Sequence, residues 1–201
     1  MNQLKYFVFF LLFFRPMTKG EIGCFLSHFT IWKQISDEKL DTVMVLEDDV
    51  RFEPFFKLKV DQLLDELKSL PNFEWDFVYL GRKRLTNATE SFVTGAQYLR
   101  HVSYSYWTIG YLINLSGAQK LLNAKPLSNL LPVDEFLPIM YDRQPEKTWT
   151  QFYPERNLLA FVAEPILLHP ALYVNEPGYV SDTENSTIIK VDKSSKEKEE
   201  L

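Results

Sequence analysis

The sequence predicts an α/β fold, a mostly parallel sheet flanked by helices. Three observations carry that expectation. Short apolar, β-branched runs alternate with longer segments whose apolar residues recur at helical spacing. No internal repeat interrupts the alternation. Of 201 residues, 46% are hydrophobic and 15% aromatic, which supplies a buried core for one domain rather than a disordered chain.

Residues 1–14 form an apolar N-terminal segment, in which Lys5 precedes an unbroken aromatic and aliphatic run from Tyr6 to Phe14. It resembles the charged and apolar regions of a secretory signal, but Arg15-Pro16 follows instead of a small-residue cleavage site. A buried strand or a mispredicted start is the alternative. Thr18-Lys-Gly-Glu21 reads as a capping box, and Ile22, Phe25, Leu26, Phe29 and Trp32 then mark one face of a helix running from Glu21 to about Ser36. Thr42 to Leu46 is too short for a helix and reads as a buried strand. After Pro54, Phe56, Val60, Leu63, Leu64 and Leu67 mark a second helix. Asp76 to Leu80 is a second strand, ended by Gly81, and Trp107 to Leu115 a third, after which Ser116 caps a short helix through Leu122. Ala163 to Leu168, broken by Pro165, reads as an edge strand or a strand start. The domain spans residues 15–190, and residues 191–201 form a disordered charged tail.

Charge and composition narrow the function classes. The net charge of −5 argues against general nucleic-acid binding. No run approaches the roughly 20 apolar residues of a membrane span. The single cysteine, Cys24, permits no intrachain disulfide. Asn87-Ala-Thr, Asn114-Leu-Ser and Asn185-Ser-Thr are glycosylation acceptors, Asn114 within an apolar run. The chain ends Lys198-Glu-Glu-Leu201, one residue from an endoplasmic-reticulum retrieval signal. This ending, with the apolar N-terminus and the glycosylation triplets, favours the lumen of the endoplasmic reticulum, whereas the cysteine count alone leans cytosolic.

Chemistry concentrates at Glu47-Asp48-Asp49, three adjacent carboxylates at the C-terminal end of the first strand. Ligands of open α/β sheets bind beyond such strand ends. If the strand continues, Glu47 and Asp49 share a side and can hold a hard divalent cation, with Asp48 facing away. The alternative is a solvated acidic turn balanced by Arg51. Asp134 and Glu135 follow a proline loop at a helix start, where a carboxylate serves either as a general base or as an ordinary cap. Arg82, in Arg82-Lys-Arg84, can neutralise a diphosphate or belong to a basic surface loop. Tyr104, Tyr106 and Trp107 offer stacking surfaces or core packing. His28, His101 and His169 show no metal-ligand spacing, so zinc is not expected.

Several segments taken together resemble glycosyltransferase family 25. Met17 to His28 matches the family pattern Leu-Thr-Lys-Gly-Glu-Ile-Gly-Cys-Phe-Leu-Ser-His except at its first residue. The other matching segments are Leu46-Glu-Asp-Asp49, Gly81-Arg-Lys-Arg84, Tyr104-Ser-Tyr-Trp107, Pro132-Val-Asp-Glu-Phe-Leu-Pro138 and Gly178-Tyr-Val-Ser-Asp-Thr-Glu184, in family order. The resemblance is strongest to the family's collagen-modifying galactosyltransferases. It implies a GT-A-type fold for nucleotide-diphospho-sugars, and Mn²⁺ held by Glu47 and Asp49. It implies transfer of galactose from UDP-galactose to collagen hydroxylysine, with inversion. Asp48, Arg82, Tyr106 and Trp107 would face the donor, and Asp134, or less directly Glu135, would serve as base. Implied partners are collagen, a nucleotide sugar and the retrieval receptor read by the C-terminal tetrapeptide, with a homo-oligomer left open. Family members begin the domain with a nucleotide-binding strand and an Arg-Arg turn that Met1 to Phe14 replaces here, so the first strand is expected to be missing. A non-catalytic binding or adhesion relative, or an inactive fragment, is the alternative to an enzyme.

Overall fold

The computed structural model describes residues 17–87 and 89–171. The apolar N-terminal segment, the Gly178–Glu184 segment, Asn185 and the C-terminal tetrapeptide therefore lie outside the described residues.

Helix α1 (Lys19–Glu38) starts as its sequence dictates: the Thr18 hydroxyl accepts from the Glu21 N–H at 3.1 Å, and the Glu21 carboxylate accepts from the Thr18 N–H at 2.8 Å. Strand β1 (Thr42–Leu46), the short strand β2 (Val50–Phe52) and helix α2 (Phe56–Ser69) follow. Strand β3 (Phe77–Arg84) leads to β4 (Leu99–His101), β5 (Ser105–Asn114) and helix α3 (Leu115–Asn123). Helices α4 (Val133–Met140) and α5 (Lys147–Thr150) precede β6 (Ala160–Ala163) and β7 (Leu168–Pro170).

The main sheet has the strand order β1-β5-β3-β6-β4. β3 pairs parallel with β6, whereas β1–β5, β5–β3 and β6–β4 are antiparallel. Three strands, β1, β3 and β6, thus run the same way, with β5 inserted between two of them in the opposite sense. The expected α/β architecture with helices on both faces is present, on a sheet that is mixed. β2 and β7 form a separate antiparallel ribbon.

Alternation along the strands builds two cores. Phe77, Tyr79, Tyr111 and Ile113 point to one face, beneath Phe25, Trp32 and Ile35 of α1 and Phe136 of α4. Val78, Leu80 and Leu112 point to the other, beneath Val60, Leu63 and Leu67 of α2. Buried on both faces, β3 reads as a continuous apolar run.

Four local expectations are corrected. Gly81 does not end its strand: β3 continues to Arg84, and Gly81 faces Gly110 across the ladder. A Cβ on Gly81 would stand 2.6 Å from the Leu168 carbonyl oxygen, so glycine is there to let β7 cross. Asn114, not Ser116, caps α3, its side chain accepting from the Gly117 N–H at 2.8 Å and donating to the Trp75 carbonyl. That occupation removes Asn114 as a glycan acceptor, whereas Asn87 is exposed. The segment around Pro165 is two strands, and β6 lies inside the sheet rather than at its edge.

Candidate active site

β1 ends at Leu46, and the chain turns through Glu47-Asp48-Asp49 before β2. The three carboxylates therefore do not alternate as strand residues. Glu47 points back over α1, Asp48 is exposed and Asp49 is half-buried. Glu47 Oε1 lies 2.8 Å from His28 Nε2.

That contact ends a buried chain of polar groups. The Trp32 indole N–H donates to the Tyr111 hydroxyl at 3.0 Å, and the same hydroxyl lies 2.9 Å from His28 Nδ1. An indole N–H can only donate, so the Tyr111 oxygen accepts there and its own hydrogen serves His28 Nδ1. Nε2 then carries the N–H that donates to Glu47. Burial holds the Tyr111 phenol well above its ordinary pKa, so it keeps the hydrogen this arrangement requires. One oxygen of Glu47 is thereby held, and the carboxylate is oriented by three core side chains.

Asp134 and Glu135 sit in the first turn of α4, yet neither caps it: no side chain caps that helix, whose N-cap is Pro132. Asp134 reaches across to β5, where it accepts from the Thr108 N–H at 2.9 Å and the Thr108 hydroxyl at 2.6 Å. Burial raises its pKa, against the opposing pull of those hydrogen bonds. Glu135 is fully buried and accepts from the Tyr104 hydroxyl at 2.9 Å and from the Gln144 amide.

The two acidic sites are anchored on adjacent residues of β5: the Glu47 N–H donates to the Ile109 carbonyl at 3.2 Å, next to the Thr108 N–H that Asp134 holds. The Cys24 thiol, on α1, is pushed up to about 12 by burial and then by the negative charges of Glu47, Asp134 and Glu21. Cys24, His28 and Glu47 each offer a ligand atom within 4.8 Å of the others, the sole such trio among the described residues. Sequence reading missed this trio. Cys24 and His28 are four apart, which a helix turns into one face, but Glu47 is added only by the packing of β1 against α1.

Arg82 is not presented to solvent. Its guanidinium is buried against Glu90, with only 5% and 6% of the two side chains exposed, and it donates to the Ser105 hydroxyl at 2.5 Å. Lys83 and Arg84 are the exposed cations of that strand end, Lys83 lying 4.3 Å above the Trp107 ring. The register of β3 against β5 slips between Gly81 and Lys83, and within the slip Trp107 adopts a positive φ of 56°. This bulge turns Trp107 outward while Thr108 stays buried against Asp134. Tyr106, beside it, is half-buried.

The oxygen donors at the turn suit a hard divalent ion, as Mg²⁺ and Mn²⁺ take carboxylate and phosphate oxygens. Asp49 and the second oxygen of Glu47 are the candidates. Among the described residues no helix is long and apolar enough to cross a membrane.

Residues 10–137 match the family described as glycosyltransferase family 25 (LPS biosynthesis protein). A Drosophila melanogaster glycosyltransferase 25 family member is 53% identical over 180 residues, covering 90% of this chain and 29% of the relative. Procollagen galactosyltransferase 1-B of Xenopus laevis is 52% identical, covering 87% of this chain and 28% of the relative. Procollagen galactosyltransferase 2 of Homo sapiens is 49% identical with the same coverage. The chain thus spans under a third of the length of these relatives. On the family match and these identities, this chain belongs to glycosyltransferase family 25.

Proposed function

We propose that this chain carries a metal-dependent, inverting galactosyl-transfer site that moves galactose from UDP-galactose to hydroxylysine of collagen in the lumen of the endoplasmic reticulum. The observation that carries the reading is that Glu47, from the end of β1, and Asp134, from the start of α4, are anchored on adjacent residues of β5, the Glu47 N–H donating to the Ile109 carbonyl at 3.2 Å and the Asp134 carboxylate accepting from the Thr108 N–H at 2.9 Å. One carboxylate there suits a cation that neutralises a leaving group, and the other suits a base. The identities to relatives named procollagen galactosyltransferase support galactose as the group moved and procollagen as what receives it.

In this reading Glu47 and Asp49 would hold Mn²⁺, which would neutralise charge on the departing diphosphate. His28 keeps Glu47 from rotating away. Asp48, exposed at the turn, faces the ribose or the sugar, and Tyr106 and Trp107 supply stacking surface. Lys83 and Arg84 attract the diphosphate, while Arg82, paired with Glu90, stiffens the strand end that presents them. Asp134 accepts the proton of the hydroxylysine hydroxyl as its oxygen forms the new bond to the anomeric carbon. The bond from that carbon to UDP breaks on the opposite face, which inverts the centre. Burial suits Asp134 to this role because a raised pKa makes it a better proton acceptor. Glu135, bonded to Tyr104 and Gln144, anchors the helix start that carries Asp134. The Lys198-Glu-Glu-Leu201 ending would return the protein to the lumen through a retrieval receptor.

Calorimetric titration of UDP-galactose into the chain, with and without Mn²⁺, tests the donor half. Binding should require Mn²⁺ and disappear in Glu47→Ala/Asp49→Ala. A folded chain that binds no donor under either condition would favour a non-catalytic member of the family.

A further inference from the structure

We propose that Cys24, His28 and Glu47 form a binding site for one thiophilic divalent cation of the zinc class, separate in chemistry from the hard-ion site at the acidic turn. The i, i+4 spacing on α1 places Cys24 and His28 on one face, and the end of β1 brings Glu47 over them, with one ligand atom from each within 4.8 Å of the others. A sulfur, a nitrogen and an oxygen make a borderline-soft donor set, which Zn²⁺ accepts and Mg²⁺ or Ca²⁺ does not. Three protein ligands leave a fourth position open, the arrangement of a zinc site that admits an exogenous ligand.

The surroundings fit a ligating histidine. Metal-bound imidazoles usually engage an outer partner through the second ring nitrogen, which fixes the ring. His28 Nδ1 lies 2.9 Å from the Tyr111 hydroxyl, itself held by Trp32.

The ligand atoms, now up to 4.8 Å apart, must readjust around the ion. Bonds of about 2.0–2.3 Å in a tetrahedron separate ligand atoms by roughly 3.3–3.8 Å. The present 2.8 Å contact of His28 with Glu47 would open by roughly half an ångström to admit the ion. The balance is simple. The ion takes a sulfur lone pair as the Cys24 S–H proton leaves to solvent. The His28 hydrogen moves from Nε2 to Nδ1, where the Tyr111 oxygen accepts it as the phenol O–H turns away from Nδ1. Glu47 contributes an oxygen, and one proton is released per ion. Because Glu47 is shared, a thiophilic ion and a hard ion exclude one another.

Titration of the full-length, reduced chain with Co²⁺ tests this without donor or acceptor, so its outcome is independent of galactosyl transfer. Cys24 is the only cysteine, so a thiolate-to-cobalt charge-transfer band can arise from no other residue. One equivalent of Co²⁺ should produce that band, and Zn²⁺ should abolish it. Cys24→Ser, a conservative change at a half-exposed position, should lose the band while retaining the wild-type circular dichroism. Glu47→Gln should weaken Co²⁺ affinity by about tenfold or more. No band with a folded, reduced chain would overturn the proposal. So would a band whose affinity is unchanged in both Glu47→Gln and His28→Gln, since the ion would then sit elsewhere.

Discussion

Asp134 owes its chemistry to burial and to its neighbours on β5. Thr108 supplies two hydrogen bonds to it, one from the backbone and one from the hydroxyl at 2.6 Å. Both favour the charged carboxylate, while burial favours the neutral acid and prevails. Thr108→Val removes the hydroxyl bond alone, so the acid limb of the pH–rate profile should move to higher pH, with donor affinity unchanged. Asp134→Asn should lower the turnover rate by roughly 10²–10⁴-fold, the usual contribution of a general base, and leave UDP-galactose binding intact. Steady-state transfer across a pH series, beside donor calorimetry, checks both; an unmoved acid limb in Thr108→Val would assign that limb to another group. The roles of these residues are only half visible in the sequence. A carboxylate after a proline loop reads equally as a cap, and the reach of Asp134 to β5 removes the cap reading alone.

At the scale of elements, helices α1 and α2 are legible because length and apolar period agree, and α1 carries its start signal in Thr18 and Glu21. Strands β2, β4 and β7 escape notice because each is only three residues long, with no room for a period to declare itself. Gly81 illustrates the same limit. Glycine after an apolar run signals a turn, but here it admits another strand. Gly81→Ala should force β7 and its Leu168 carbonyl outward and destabilise the fold by about 1–3 kcal/mol. Urea denaturation reads that loss directly, and an unchanged midpoint would mean that β7 is free to shift.

Across the whole molecule, the buried Arg82–Glu90 pair ties the far end of β3 to the segment leading into β4. Burial alone would raise the Glu90 pKa, but hydrogen bonds from Ser103 and Arg82 outweigh it and hold the carboxyl below its ordinary value. A folded-state pKa below the unfolded one contributes stability above the unfolded value and loses it as pH falls through the folded value. Acid unfolding should therefore steepen below the ordinary glutamate range. Glu90→Gln should flatten that dependence and cost about 3–5 kcal/mol at neutral pH, because Arg82 would remain buried without its counter-charge. Thermal melts from neutral pH into the acid range check both parts, and parallel curves for the two proteins would remove Glu90 from the account.

By itself the sequence determined the α/β class, the two long helices and the strands β1, β3 and β5. All of these rest on composition and on periods that repeat within one segment. Tertiary structure decided the rest. It inserted β5 antiparallel between β1 and β3, turned Arg82 inward onto Glu90 and laid His28 against Glu47. It also anchored Asp134 on β5 at Thr108, one residue from the Ile109 carbonyl that receives the Glu47 N–H. Each of these depends on residues distant in sequence meeting across a core, and no local period encodes where two such surfaces will touch.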